Sequence, residues 1–257
     1  MKLGFLGTGM ITDSVVRGLC TSDFLEDKIF VSPRNIDIAD KLASDFSSVK
    51  IAGDNQELLD YSDIVFIALR ESVVEGLLTS LSFRKEQKIV SFVPTLTCMK
   101  LSVWINHAAP VFRAAPLPFV AEHKSATPVF PVDSDLRMIF EKIGGILELG
   151  NEEQFNVFMT AGSLMGIYFY FSRILDSWMQ RRGMESKESF LYLSRLFFCL
   201  AHKAFQTKQF DFRALQKHFS TKGGTNELIV RLFKEKGGDK LLSCALDEAF
   251  FHITGSF

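Results

Sequence analysis

Paired cysteines, a histidine cluster and a surplus of either charge are all missing from this chain, and each absence removes a class of function. The four cysteines, Cys20, Cys98, Cys199 and Cys244, lie far apart and form no C-x-x-C pair. Neither a disulfide framework nor a thiolate zinc site is therefore expected. His107, His123, His202, His218 and His252 show no ligand spacing, so no metal site is expected either. There is no G-x-S-x-G elbow and no evident nucleophile–base pair. A formal charge of −1 over 257 residues offers no general attraction to nucleic acid or to an anionic membrane. Long linkers, low-complexity tracts and internal repeats are missing as well. One uncharged stretch, Phe155 to Phe171, approaches membrane-spanning length. Asn156, Thr160, Gly162, Ser163 and Gly166 interrupt it and charges flank it closely, so it is expected as a helix buried in protein. The N-terminus is already strand and glycine turn, which predicts no secretory leader. A reduced cytoplasm suits the free thiols.

What is present begins at the second residue. Lys2-Leu3-Gly4-Phe5-Leu6-Gly7-Thr8-Gly9-Met10-Ile11 reads as a short buried strand breaking into a glycine turn that opens a helix, with Val15, Val16 and Leu19 following at helical spacing. Gly7 would allow the tight turn and Gly9 the close approach of a pyrophosphate, which the helix N-terminus would then face. Thr12 takes the third fingerprint place, where Gly or Ala is usual. The next strand, Lys28 to Val31, ends in Ser32-Pro33-Arg34-Asn35 with no carboxylate for a ribose. Glu26 and Asp27 precede that strand and are expected at the opposite edge of the sheet. Arg34 offers a planar donor fork and Ser32 a hydroxyl, a pairing that predicts NADP(H). The alternative is that Arg34 is a solvated loop cation.

The chain divides into halves of different character. Strand-like runs at Val49–Ala52, Asp63–Leu69, Lys88–Val93, Val111–Ala114, Ala126–Phe130 and Ile146–Leu149 alternate with helical stretches. An α/β fold is predicted over residues 1–150, a Rossmann-like doubly wound sheet that binds NADP(H). Residues 151–257 are predicted to form an all-helical dimerisation and substrate domain. Its helices are expected at about 152–182, 185–207, 211–219, 224–236 and 238–254. Twenty-six phenylalanines, many in this second half, suggest an extensive helix–helix core or a subunit interface.

The order of these motifs resembles the pyrroline-5-carboxylate reductase family. The resemblance rests on Gly4 to Ile11, on Asp54-Asn55-Gln56-Glu57 ahead of Asp63 to Arg70, and on Val90-Ser91. Phe112-Arg113-Ala114-Ala115-Pro116, Ala161-Gly162-Ser163 and Thr221-Lys222-Gly223-Gly224-Thr225-Asn226 complete it. It implies NADPH-dependent reduction of a cyclic imino acid, pyrroline-5-carboxylate to proline or a close analogue, by a cytoplasmic homodimer or higher homo-oligomer. With the second-strand reading it puts Gly7, Thr8, Gly9, Met10, Ile11, Ser32, Arg34, Asn55, Ala68, Leu69 and Arg70 on the cofactor. It puts Thr221, Gly223, Gly224, Thr225 and Asn226 on the substrate carboxylate, with Asn226 and Thr225 as candidate catalytic residues. Asn226 would donate an amide N–H to the carboxylate or the ring.

Departures from the family pattern fall in the same places. Ala68-Leu69-Arg70-Glu71 keeps a cation but loses a proline, and Arg113 to Phe119 lacks the polar Asn-Thr pair. Leu164-Met165-Gly166-Ile167 follows Ser163 where the family has G-P-A-Y, and Asn226 replaces a threonine. Two other readings therefore stay open. One is an NADP-linked reductase of a keto or hydroxy acid, for which Lys203 beside His202 is the candidate; the other is a catalytically silent nucleotide-binding homologue.

Overall fold

The computed structural model describes residues 1–23, 28–207 and 210–255; Glu26 and Asp27 lie outside them. Contacts divide the chain into two compact units, Met1–Thr160 with Phe250–Phe257, and Ala161–Ala249.

The first unit is built on one sheet. Its strands are β1 (Leu3–Leu6), β2 (Ile29–Val31), β3 (Val49–Ile51), β4 (Ile64–Ile67), β5 (Lys88–Ser91), β6 (Val111–Ala114), β7 (Thr127–Phe130) and β8 (Ile146–Glu148). They lie in the order β3-β2-β1-β4-β5-β6-β7-β8. Every pairing is parallel except β6 with β7, so β7 and β8 run against the other six. Helices α1 (Met10–Thr21), α2 (Ile36–Asp45), α3 (Asn55–Tyr61), α4 (Glu71–Leu78), α5 (Cys98–Trp104) and α6 (Ser134–Lys142) fill the connections, with a 3₁₀ turn at Pro118–Glu122.

Continuous apolar runs such as Leu3–Leu6 and Ile64–Ile67 suit strands covered on both faces. Successive side chains point to opposite sides. Leu3, Phe5, Ile64 and Phe66 pack with Val15, Val16 and Leu19 of α1 and Leu136, Ile139 and Phe140 of α6. Leu6, Val65 and Ile67 pack with Leu58, Leu59, Val74, Leu78 and Leu101 of α3, α4 and α5. Phe66 anchors the first layer, with its ring 4.8 Å from Phe5, 5.2 Å from Phe92 and 6.4 Å from Phe140. Such ring pairs contribute about 0.5–1.5 kcal/mol each beyond the area they bury.

The helix expected over 152–182 is two helices, α7 (Glu152–Gly162) and α8 (Leu164–Gln180), parted at Ser163. Gly162 is the weakest helix former at that point, and the apolar periodicity runs on through the break. Then come α9 (Ser186–Gln206), α10 (Phe212–Phe219), α11 (Thr225–Glu235) and α12 (Gly238–Thr254). The boundary between the two compact units falls within α7 and again within α12. Among the described residues, α8, α10 and α11 contain none that is buried. Phe169, Phe190, Tyr192, Phe198, Phe205 and Phe212 are all more than half exposed. No helix among the described residues is long and apolar enough to cross a membrane.

Candidate active site

In the first unit the order of strands reverses at β1, with β2 on one side and β4 on the other. Because these strands are parallel, the segments that follow them emerge along one edge of the sheet, and an open α/β sheet takes its ligands where the order reverses. Gly7-Thr8-Gly9 follows β1, Ser32-Pro33-Arg34 follows β2 and Ala68-Leu69-Arg70 follows β4. Asn55 starts α3, beyond β3. Eleven residues assigned from widely separated stretches of sequence thus belong to consecutive crossings of one sheet.

Gly7 and Gly9 meet different demands there. Gly7 has φ +99°, and a Cβ built on it would lie 2.3 Å from the carbonyl oxygen of Ala68, so this position has neither the conformation nor the room for a side chain. Gly9 is extended at φ −104°, and a Cβ there would meet nothing within 4 Å. Space is left over Gly9, at the start of a helix that no side chain caps. A pyrophosphate needs that combination of room and amide donors. Met10 projects outward, 72% exposed, and Ile11 is half-buried.

Hydroxyl groups lock the turn. The Gly7 N–H donates to Ser32 Oγ at 3.0 Å, Thr8 Oγ1 donates to the Ser32 carbonyl at 2.6 Å, and the two hydroxyl oxygens lie 3.1 Å apart. Thr12 Oγ1, in the third fingerprint place, donates to the Gly7 carbonyl at 2.6 Å. The Ser32 hydroxyl oxygen is thus engaged inside the turn, where it accepts from Gly7. Ser32 is 1% exposed, and its side chain faces into the turn because the strand end leaves the Gly7 amide without a ladder partner. Arg34 and Arg70 are exposed, and neither side chain has a hydrogen bond or ion pair among the described residues. Asp54 caps α3 by accepting from the Glu57 amide at 2.8 Å, while Glu57 accepts in return from Gly53, which fixes the backbone beside Asn55.

One participant escaped the sequence reading except as a motif letter. Arg113 stands near the end of β6 and is 1% exposed. Its Nη1 donates to Glu152 Oε1 at 2.9 Å and to Asn156 Oδ1 at 2.8 Å, its Nη2 donates to the Pro94 carbonyl, and its guanidinium lies 4.2 Å from the centre of the Phe155 ring. Burial pulls its pKa down and Glu152 only partly restores it. Glu152 also accepts from the Cys98 amide at 2.8 Å. Arginine thus ties the loop after β5 and the start of α5 to the first turns of α7. The available signal was a lone cation inside the apolar run Val111-Phe112-Arg113-Ala114, since a charge in a covered strand requires partners. Burial, then the Glu152 charge, pushes the Cys98 thiol up to about 12, so it is no nucleophile at neutral pH.

In the second unit the Thr221–Asn226 turn joins α10 to α11. Gly223 has φ +76° and the Gly224 N–H donates to the Thr221 carbonyl at 2.8 Å. α11 then starts at Thr225 without a side-chain cap. Thr221 and Thr225 are exposed, as an anion cradle requires. Asn226 departs from expectation: its Nδ2 donates to the Phe219 carbonyl at 2.7 Å. The last carbonyls of a helix lack intrahelical partners, and this amide is the donor the turn brings to them. Side-chain donation by Asn226 to an outside ligand is thereby reduced to its second N–H.

Residues 2–94 match the family model described as NADP oxidoreductase coenzyme F420-dependent. Pyrroline-5-carboxylate reductase 2 of Bacillus subtilis (strain 168) is 20% identical over 258 residues, covering 96% of this chain and 92% of the relative. The 1-pyrroline-5-carboxylate reductase of Streptococcus pyogenes superposes with a TM-score of 0.85 at 19% identity, covering 99% of this chain and 98% of that one. The Plasmodium falciparum pyrroline carboxylate reductase, solved with NADP bound, gives 0.84 at 15% identity, covering 99% and 97%. The chain therefore resembles the pyrroline-5-carboxylate reductases along nearly its whole length and has their fold.

Proposed function

We propose that this protein is a cytoplasmic NADPH-dependent reductase of the C=N bond of a small cyclic imino acid, pyrroline-5-carboxylate or a close analogue. The observation that carries the reading is the switch point of the sheet, where open space over Gly9, the uncapped start of α1 and the exposed Arg34 follow adjacent strands. The likeness to reductases of this name supports the substrate class. In this reading residues 1–150 serve the cofactor, and residues 151–257 serve the substrate and pairing with a second copy.

Bound there, NADPH supplies the hydride for the imine carbon. The chain contributes position and charge. Gly7, Thr8 and Gly9 hold a rigid turn from which the first amides of α1 would receive the pyrophosphate. Arg34 would hold the 2′-phosphate with its fork. Thr221, Thr225 and the amides opening α11 orient the substrate, with Thr225 able to donate a proton from its hydroxyl toward the ring nitrogen. A protonated cyclic imine accepts hydride readily, so no charged general acid is required. The test is NADPH consumption with pyrroline-5-carboxylate, piperideine carboxylates and simple keto acids; turnover confined to keto acids would replace this reading with a dehydrogenase.

Two outcomes follow from particular residues. NADPH is expected to bind more tightly than NADH, and Arg34→Ala should remove roughly 1.5–3 kcal/mol, about tenfold to a little over a hundredfold of the preference. Fluorescence titration of both cofactors into both proteins measures it, and equal affinity of the wild type for the two rules the assignment out. Sedimentation at micromolar concentration should show a dimer or larger species, because the exposed aromatic residues of α8 and α9 need a cover that a second copy supplies. A stable monomer would contradict the pairing.

A further inference from the structure

Leu6 of β1, Ile67 of β4, Ser91 of β5 and Arg113 of β6 stand in one row of the register, at the carboxyl ends of four parallel strands. Arg113 thus belongs to the ligand edge of the sheet, although its side chain is buried. A dinucleotide with its 2′-phosphate beyond β2 and its pyrophosphate over Gly9 must carry its other half the opposite way, across β4 toward β5. The segment that follows β5 there is the loop Pro94-Thr95-Leu96-Thr97, which leads into α5. Its own hydrogen bonds are slight: the Leu96 N–H donates to the Val93 carbonyl at 3.3 Å, and the Thr95 hydroxyl has no partner among the described residues. Among the described residues, the hydrogen bonds that tie Pro94–Thr97 and the Cys98 N–H to anything outside the loop and α5 lead to Arg113 and Glu152. The Pro94 carbonyl accepts from Arg113 Nη2, and the Cys98 N–H donates to Glu152 Oε1, the same atom that accepts from Arg113 Nη1. One guanidinium therefore governs both ends of the loop. Burial costs this arginine more than Glu152 offsets, and its Nε has no partner among the described residues. Apolar side chains of similar volume often replace such a buried ion pair without loss of stability, so stability alone does not account for it.

We propose that Arg113 is a positioning residue for hydride transfer: by fixing the loop after β5 it sets where the nicotinamide ring stands, while touching neither cofactor nor substrate. The proposal rests on the reading of the chain as an NADPH-dependent imine reductase and adds a residue to it. The phosphates of the cofactor are assigned to other groups, the amides opening α1 and Arg34, so a loosened loop leaves affinity nearly unchanged. What it loses is the placement of the reacting carbon. A displacement of about 1 Å between reacting atoms costs on the order of a hundredfold in rate. Lysine is no substitute here, because a single ammonium on a flexible stem cannot span the Pro94 carbonyl, Glu152 and Asn156 as the planar fork does.

The experiment uses the full chain and the variants Arg113→Lys, Glu152→Ala and Glu152→Gln, at a temperature where urea unfolding shows each to be folded. NADPH binding and the nicotinamide emission of the bound cofactor are measured without substrate, and turnover of pyrroline-5-carboxylate afterwards. Arg113→Lys and Glu152→Ala are expected to bind NADPH within about threefold of wild type, to shorten the lifetime of the bound nicotinamide emission, and to lose about tenfold to a hundredfold in kcat with KM little changed. Glu152→Gln keeps an acceptor for Arg113 and for the Cys98 amide, and should stay close to wild type in emission and in kcat. Where Arg113→Lys is too unstable to assay, Glu152→Ala decides. Wild-type emission and kcat in the folded variants overturn the role of Arg113 and leave the imine reductase reading standing. An equal loss in Glu152→Gln overturns it too, since charge and not the geometry of the loop would then be the cause. If the wild type binds NADPH but reduces no imine, that reading falls, and the emission comparison, which needs no substrate, still decides whether Arg113 places the ring.

Discussion

Gly7→Ala is expected to destabilise the protein by on the order of 3 kcal/mol or more, whereas Gly9→Val should leave its unfolding within about 0.5 kcal/mol of wild type and yet weaken NADPH at least about a hundredfold. The two glycines stand two residues apart in one motif but answer to different constraints. A methyl group on Gly7 must take a backbone conformation of φ +99° and enter the space of the Ala68 carbonyl, which β4 cannot move without breaking its register with β1. A Cβ on Gly9 meets no protein atom within 4 Å and stands in the space over the start of α1. Urea unfolding separates the first effect and cofactor fluorescence the second. NADPH binding at full strength by Gly9→Val would remove the pyrophosphate from this turn.

Arg113→Met should cost about 3–5 kcal/mol, the largest effect expected of a single side chain outside the glycine turn. The cost comes from what the arginine leaves behind: the Glu152 carboxylate, the Asn156 side-chain carbonyl and the Pro94 carbonyl would all lose their donor. Desolvation outweighs the help from Glu152 at Arg113, so the pair holds geometry more than it adds stability. Removing the second charge as well, in Arg113→Met with Glu152→Gln, should recover part of the loss. Urea midpoints for the single and double variants measure this, and strict additivity would show that the two residues do not act as a unit.

The elements of the first unit were legible because each is announced locally. Apolar runs bounded by polar turns gave β1 to β8 to within about two residues, and the glycines after the first run marked the turn that opens α1. The break between α7 and α8 was harder to read, because the apolar pattern continues past Ser163 and only Gly162 hints at it. Side-chain direction was not legible. Ser32 was visible as a hydroxyl at the end of a strand, but nothing in the sequence says that it turns toward Gly7, 25 residues earlier. Arg113 finds its partners 19, 39 and 43 residues away, separations that no local periodicity reports. Asn226 and Glu227 show the same limit at short range: their types suggest a polar turn, while the choice of Phe219 and Gly223 as partners depends on how α10 ends.

Because the passages between the two compact units lie inside α7 and α12, neither unit can be excised at a loop. A cut at either place opens a helix and strips partners from as many as four carbonyls on one side and four amides on the other. The division also has an order in time. Met1–Thr160 leaves the ribosome early, but the unit it belongs to includes Phe250–Phe257, where Ile253 is buried. Domains that fold during synthesis do so as their residues emerge. This one is completed only after Ala161–Ala249 has been made, so a unit begun before the helical insertion is finished by residues that follow it.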